Sequence, residues 1–359
     1  MHSFFAKKST AAGDGAEKKV VKKSNFEERK PWVEKYRPNK VDEVVSQNEI
    51  VAVLKKVLEG ADLPNILFYG PPGTGKTSAA LALCKQMFKT QEVMKDRVLE
   101  MNASDERGIA VVRTKIKEFA QRAVAPTSLS GQCASIKIII LDEADAMTHA
   151  AQAAMRRIIE TYSSTTRFFL ICNYISRIIA PLTSRCAKFR FKPLPVDDQL
   201  TRLKFICQNE NVTADDNALT TLINLCEGDL RKSVGYLQAL ASTQQTIDGE
   251  FLRQVTGSIA DDMLDRTLKN LSTASKPTVY TMTENIMREG YSAKQFMHQL
   301  LNRLIDHEYL TDMQKAEIFE KMSVCEMRLI NGANEFLQLL DLFFCVQTQF
   351  VNPKSMGRV

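Results

Sequence analysis

The run Gly70-Pro71-Pro72-Gly73-Thr74-Gly75-Lys76-Thr77 constrains this chain more than any other stretch. It fits in full the pattern Gly, four residues, Gly-Lys-Thr, a loop whose backbone N–H groups wrap phosphates. Its flanks come in the order the physics requires. Asn65–Tyr69 reads as a short buried strand entering the loop, and Ser78–Leu83 as a helix leaving it, whose N-terminus adds partial positive charge. Residues Gly70 through Ser78 are therefore the expected phosphate cradle. Lys76 would reach the β- and γ-phosphates and the Thr77 hydroxyl would help hold Mg²⁺. The expected ligand is a nucleoside triphosphate.

The rest of the N-terminal half supplies a setting for that loop. Candidate strands Asn65–Tyr69, Val98–Met101, Ile136–Leu141, Arg167–Cys172 and Ala187–Phe191 alternate with helical stretches. Such alternation predicts a doubly wound α/β domain with a five-stranded parallel sheet. Ile136–Leu141 is β-branched and almost wholly apolar, as a central parallel strand should be. Upstream, Asp42 is a candidate cap for a helix carrying Ile50, Val53, Leu54, Val57 and Leu58. Pro31 and Pro38 bracket a segment with the only tryptophan, and two prolines favour an extended strap over a helix. Val33 and Arg37 on that strap would either cover a nucleotide or only pack on the core.

After Pro193 and Pro195 the strand signals stop. Gln199–Asn209 and Ala218–Cys226 are amphipathic, and Glu227-Gly228-Asp229 would end one helix and cap the next, Leu230 to Leu240. This predicts a small helical lid ending near Gly257. Beyond it Phe296, Met297, Leu300, Leu301, Leu304 and Ile305 recur with helical period, and a last helix, Phe336 to Val346, is apolar nearly all round. The predicted division is a disordered basic tail over 1–30, a nucleotide-binding α/β domain over 31–193, a helical lid over 194–257, a further helical domain over 258–352 and a tail over 353–359.

Chemistry concentrates around the sheet. Asp142 and Glu143 end the most apolar strand; one would help hold Mg²⁺ while the other polarises an attacking water. Asn173, after the strand ending at Cys172, could orient that water or simply suit a turn. Arg185 could serve a neighbouring subunit's active site or form a structural ion pair. Arg231 stands in the first turn of a lid helix, where the dipole disfavours a cation. Its partner would be the nucleotide or a surface carboxylate. Arg107, Arg113 and Lys117 around one helix, and Arg156 and Arg157 on another, could read DNA phosphates or form a solvated face.

Composition adds bounds rather than function. At 359 residues two or three domains are expected, and a net charge of +6 gives a mild bias toward polyanions. The eight cysteines form no Cys-x-x-Cys pair, and most lie in apolar runs as small core residues. No apolar run is long enough to span a bilayer, so no membrane partner is expected and the chain should stay in the cytosol or nucleus. Lys18-Lys19-Val20-Val21-Lys22-Lys23 reads as a nuclear localisation signal or as a solvated tail.

With these residues in hand, the chain resembles the small subunits of replication factor C, the sliding-clamp loader of the AAA+ class. The signatures are Pro31–Pro38, Gly70–Thr77, Asn102-Ala103-Ser104-Asp105-Glu106-Arg107-Gly108, Leu141–Asp145, Ser184-Arg185-Cys186 and Gly228-Asp229-Leu230-Arg231. The resemblance implies a RecA-like AAA+ domain, a lid and a collar, working as an ATP- and Mg²⁺-dependent ATPase in a nuclear heteropentamer. Its implied partners are the other subunits, the PCNA sliding clamp and primer-template double-stranded DNA. Val33 and Arg37 would flank the adenine, and Asn173 and Arg231 would be the two sensors. Arg185 would be the arginine finger for the adjacent subunit, and Asn102 would restrain Glu143 until DNA enters. One departure is Ser46, where many relatives carry glycine. Two other readings stand beside this one. Asp142-Glu143-Ala144-Asp145 also suits a helicase, which would need a second RecA-like half. A clamp-loader subunit could also bind ATP without turning it over.

Overall fold

The computed structural model describes residues 30–104, 109–122, 136–243, 247–273, 275–308 and 310–351. They divide into two compact units, Met1–Ile247 and Asp248–Val359. In the first unit the elements run α1 (Trp32–Lys35), α2 (Asn48–Leu58), β1 (Ile66–Tyr69), α3 (Lys76–Phe88), α4 (Gln91–Arg97), β2 (Val98–Asn102), α5 (Ile109–Gln121), β3 (Lys137–Asp142), α6 (His149–Thr161), β4 (Thr166–Cys172), α7 (Ala180–Thr183) and β5 (Ala187–Arg190). Three lid helices follow: α8 (Val196–Glu210), α9 (Asp216–Leu225) and α10 (Leu230–Ala241).

All five expected strands form, within a residue or two of the expected ends, as one parallel sheet in the order β2-β3-β4-β1-β5. Alternate residues of the apolar strands serve opposite faces. Ile138 and Ile140 join Phe68, Leu54 and Leu83 under α2 and α3. Ile139 and Leu141 join Ile116, Phe119, Met155 and Ile158 under α5 and α6. A strand buried on both faces has no polar side, which is why β3 reads as a continuous apolar run.

Two local expectations are corrected. The segment between Pro31 and Pro38 is not an extended strap throughout, because Trp32–Lys35 turns as a short helix with Pro31 as its N-cap. A proline at a helix start loses no hydrogen bond, so only the second proline acts as a breaker. Asp42 does not cap α2; it lies in a 3₁₀ turn, Val41–Glu43, and Gln47 occupies the cap position. The Gln47 side chain is instead buried and exchanges two hydrogen bonds with the Lys192 backbone, tying the start of α2 to the end of the sheet. Ser46, the departure from glycine, has φ +58°, and its hydroxyl donates to Asp198 at the start of α8.

The second unit is helical: α11 (Gly249–Thr256), α12 (Asp261–Thr273), α13 (Lys276–Arg288), α14 (Ala293–Ile305), α15 (Asp312–Ile330) and α16 (Glu335–Val351). The last helix buries Leu339, Leu342, Phe343 and Val346 completely, while Leu337 is 57% exposed, so its burial is a stripe rather than all round. Among the described residues no helix is long and apolar enough to cross a membrane.

Candidate active site

The loop after β1 turns into α3 with the conformations its glycines permit. Gly73 has φ +71° and Gly70 φ +146°. A Cβ on Gly70 would stand 2.3 Å from the Phe191 carbonyl oxygen, and one on Gly73 would stand 1.9 Å from Asp229 Oδ1. Both positions therefore need glycine for space as well as for backbone angle. Lys76 opens α3 and is only 7% exposed. Its ammonium donates to the Gly70 carbonyl (2.9 Å), the Pro71 carbonyl (2.8 Å) and Asn173 Oδ1 (2.9 Å). Burial lowers its pKa, against the opposing pull of Asp142.

The acidic strand end lies beside this loop. Thr77 Oγ1 donates to Asp142 Oδ2 at 2.7 Å, and Asp142 Oδ1 accepts from the Glu143 N–H at 2.9 Å. Glu143 sits at φ +52°, a sparsely populated conformation for a non-glycine residue, and its exposed side chain lines the pocket. A hydroxyl and a carboxylate oxygen side by side form a hard-oxygen donor set suited to Mg²⁺, which takes its remaining ligands from water and phosphates. Asp145 completes the array: its Oδ2 accepts from the backbone N–H groups of Asn173 (3.2 Å) and Tyr174 (3.1 Å), fixing the turn that presents Asn173.

Opposite the phosphate loop stand Trp32, Val33, Tyr36, Arg37 and Pro38, with Val44, Val45, Leu194 and the lid residues Arg202, Ile206, Leu230, Arg231 and Val234. Asp229 caps α10 by accepting from the Arg231 and Lys232 N–H groups (2.9 and 3.2 Å). The pocket thus gathers Val33, Arg37, Pro72 to Ser78, Asp142, Glu143, Asn173 and Arg231. Trp32, Tyr36, Val45, Arg202, Ile206 and Val234 also line it and had no role from sequence.

Other expected residues lie elsewhere. Asn102 pairs in register with Asp142, so it stands one strand over from Glu143; its Oδ1 accepts from the Ser104 N–H and hydroxyl. Arg185 donates to the Pro181 carbonyl (2.7 Å) and pairs with Glu160 at 2.5 Å. Glu160 also holds Arg156 at 3.2 Å, and these arginines keep its carboxyl below the usual range. Lys117 and Arg157 are exposed on α5 and α6, helices packed against one sheet face. Arg107 and the Arg113 side chain lie outside the described residues.

A phosphate loop, a paired carboxylate strand end and a helical lid over one parallel sheet define an ATPase of the AAA class. Residues 66–194 match the family "ATPase family associated with various cellular activities (AAA)", 201–242 the "RCF1/5-like, AAA+ ATPase lid domain" and 258–345 the "Replication factor C C-terminal domain". The chain belongs to the replication factor C family of clamp-loader ATPase subunits. It is 49% identical over 314 residues to replication factor C subunit 2 of Oryza sativa subsp. japonica, covering 87% of this chain and 92% of that one. It is 47% identical over 344 residues to subunit 4 of Homo sapiens, covering 95% and 93%. A solved structure of the Aeropyrum pernix ORC1 protein in complex with DNA shares the fold, with TM-score 0.50 and 19% identity over 82% of this chain and 87% of that one.

Proposed function

We propose that this subunit binds ATP with Mg²⁺ in the pocket above Gly70–Ser78 and hydrolyses it within a heteropentameric loader. That loader opens the PCNA sliding clamp and places it on primer-template DNA for replication and repair in the nucleus. The observation that carries the reading is the meeting of Lys76, Thr77, Asp142, Glu143 and Asn173 in one pocket from three separate segments. In this scheme Lys76 binds the β- and γ-phosphates, giving up its present acceptors for phosphate oxygens. Thr77 and Asp142 would hold Mg²⁺, which supplies charge neutralisation when bound. Glu143 orients water and accepts its proton as the oxygen attacks the γ-phosphorus, while Asn173 orients the same water. The bond from the γ-phosphorus to the β–γ bridging oxygen breaks and ADP leaves. Val33 and Arg37 flank the base, and Arg231 meets phosphate charge from the lid. Arg185 leaves Glu160 to act on the neighbouring subunit's ATP. Asn102 restrains Glu143 in the absence of DNA. Lys117, Arg156 and Arg157, with Arg107 and Arg113, contact the DNA backbone and so add affinity without sequence preference.

The alternative of ATP binding without turnover makes a different prediction for one substitution. Glu143→Gln should keep ATP affinity and reduce DNA- and clamp-stimulated hydrolysis of the reconstituted complex by the share this site contributes, with a loss at the site of about 10²–10⁴. An unchanged rate in that complex would assign the subunit a structural role.

A further inference from the structure

The base side of the pocket is held together by contacts that the phosphate chemistry does not use. The Trp32 backbone N–H donates to Gln238 Oε1 on α10 at 2.9 Å. The Tyr36 hydroxyl donates to Glu210 Oε1 on α8 at 2.6 Å, and Lys35 Nζ pairs with the same oxygen at 2.5 Å. Arg202 of α8 donates to the Tyr36 carbonyl at 2.7 Å, while Phe205 meets the Tyr36 ring edge-on with centroids 6.2 Å apart. Three residues later the chain is fastened to the sheet domain instead. Lys85 of α3 donates to Asn39 Oδ1 at 2.8 Å, the Val41 N–H donates to Gln86 Oε1 at 2.9 Å, and the Val41 side chain is fully buried under α2 and α3. Arg37 and Pro38, both in the pocket wall, are the stretch between the two attachments.

We propose that Trp32–Tyr36 travels with the lid as one body, and that Glu210 and Gln238 are positioning residues that set the base side of the nucleotide site without touching nucleotide. The inference rests on the nucleotide reading of the pocket. Neither residue lines the pocket, whereas Trp32, Val33 and Tyr36 do, so their effect must pass through the strap. Charge-assisted hydrogen bonds are the strong ones, and here Glu210 accepts two on a single oxygen. A lid held at one angle therefore presents a formed base wall, and a lid set free carries that wall away from the phosphate loop.

The test uses the full-length chain, calorimetry with ADP and with inorganic tripolyphosphate, and the emission of Trp32, the only tryptophan, as a strap reporter. In the double variant Glu210→Leu/Gln238→Leu, ADP should bind about tenfold more weakly, tripolyphosphate within about twofold of wild type, and the ADP-induced change in Trp32 emission should shrink. Gln238→Glu keeps the acceptor for the Trp32 N–H and should bind ADP like wild type. Unchanged ADP affinity in the double variant overturns the proposal. So does equal weakening of both probes, which marks general loosening. Failure of the wild-type chain to bind either probe would instead overturn the nucleotide reading itself, and this one with it.

Discussion

The phosphate side of the pocket is lined by Pro72–Ser78 and by the ends of β3 and β4, while the proposed base side is lined by Trp32, Val33, Tyr36, Arg37 and Pro38, with Arg202, Ile206, Leu230, Arg231 and Val234 of the lid. On the first side Lys76 reaches back to the carbonyls of Gly70 and Pro71 within its own loop, and Asp142 and Asn173 join from distant strand ends. On the second, the ties between strap and lid join residues far apart in the chain, as Trp32 to Gln238 and Tyr36 to Glu210. A phosphate has one shape and a fixed charge, so a single contiguous loop can recognise it. A base must be admitted and released, and a wall shared between strap and lid allows that. The two sides touch at Gly73, whose missing Cβ makes room for Asp229 at the head of α10.

Several changes would break or sharpen this contrast. The largest effect is expected from a residue on neither side. Arg185→Ala should leave this subunit's own ATP affinity intact and slow hydrolysis at the adjacent site by about 10³–10⁵, read in reconstituted complexes whose other sites are silenced. Unchanged hydrolysis would leave Arg185 as the structural partner of Glu160. Next, Lys76→Ala removes the buried ammonium at the centre of the phosphate side, and nucleotide affinity should fall about 10²-fold or more by calorimetry. If binding survived, the base side would be supplying most of the affinity.

Gly73→Ala tests where the sides meet. Its Cβ would displace Asp229 from the α10 N–H groups, so unfolding should move to lower temperature by the equivalent of about 1–2 kcal/mol, with weaker nucleotide binding. The smallest effect concerns pH. The pKa of Lys76 is lowered by burial, and a bound phosphate favours the ammonium. Nucleotide affinity should therefore decline as pH rises through that lowered pKa, at a lower pH than for an exposed lysine. Binding there should take up a proton, which calorimetry in buffers of different ionisation heat detects.

Much of this was legible in the chain because it is written locally. The apolar β3 run, the glycine loop and Asp142-Glu143 each occupy consecutive residues, so strand, turn and helix signals coincide with the chemistry. Asn173 and Arg231 were ambiguous alone; Asn173 gains meaning from its 2.9 Å contact with Lys76, and Arg231 from its place in the same wall. Tyr36, Arg202 and Ile206 carried no signal, since an aromatic, a cation and an aliphatic residue at ordinary helical spacing suit any lid surface. The prolines around Trp32 misdirected the strap because a proline at a helix start and one that forbids a helix look alike in sequence.

By itself, then, the amino-acid sequence determined the phosphate loop, the paired carboxylates, the order of strands and helices, and the family. These are short-range facts of backbone freedom, periodicity and residue chemistry. Only the tertiary structure decided that Asp145 braces Asn173, that Glu160 meets Arg185, and that Glu210 and Gln238 fasten the strap to the lid. Such pairings depend on which helix faces pack together, and nothing in a residue's neighbours along the chain encodes the partner it meets after folding.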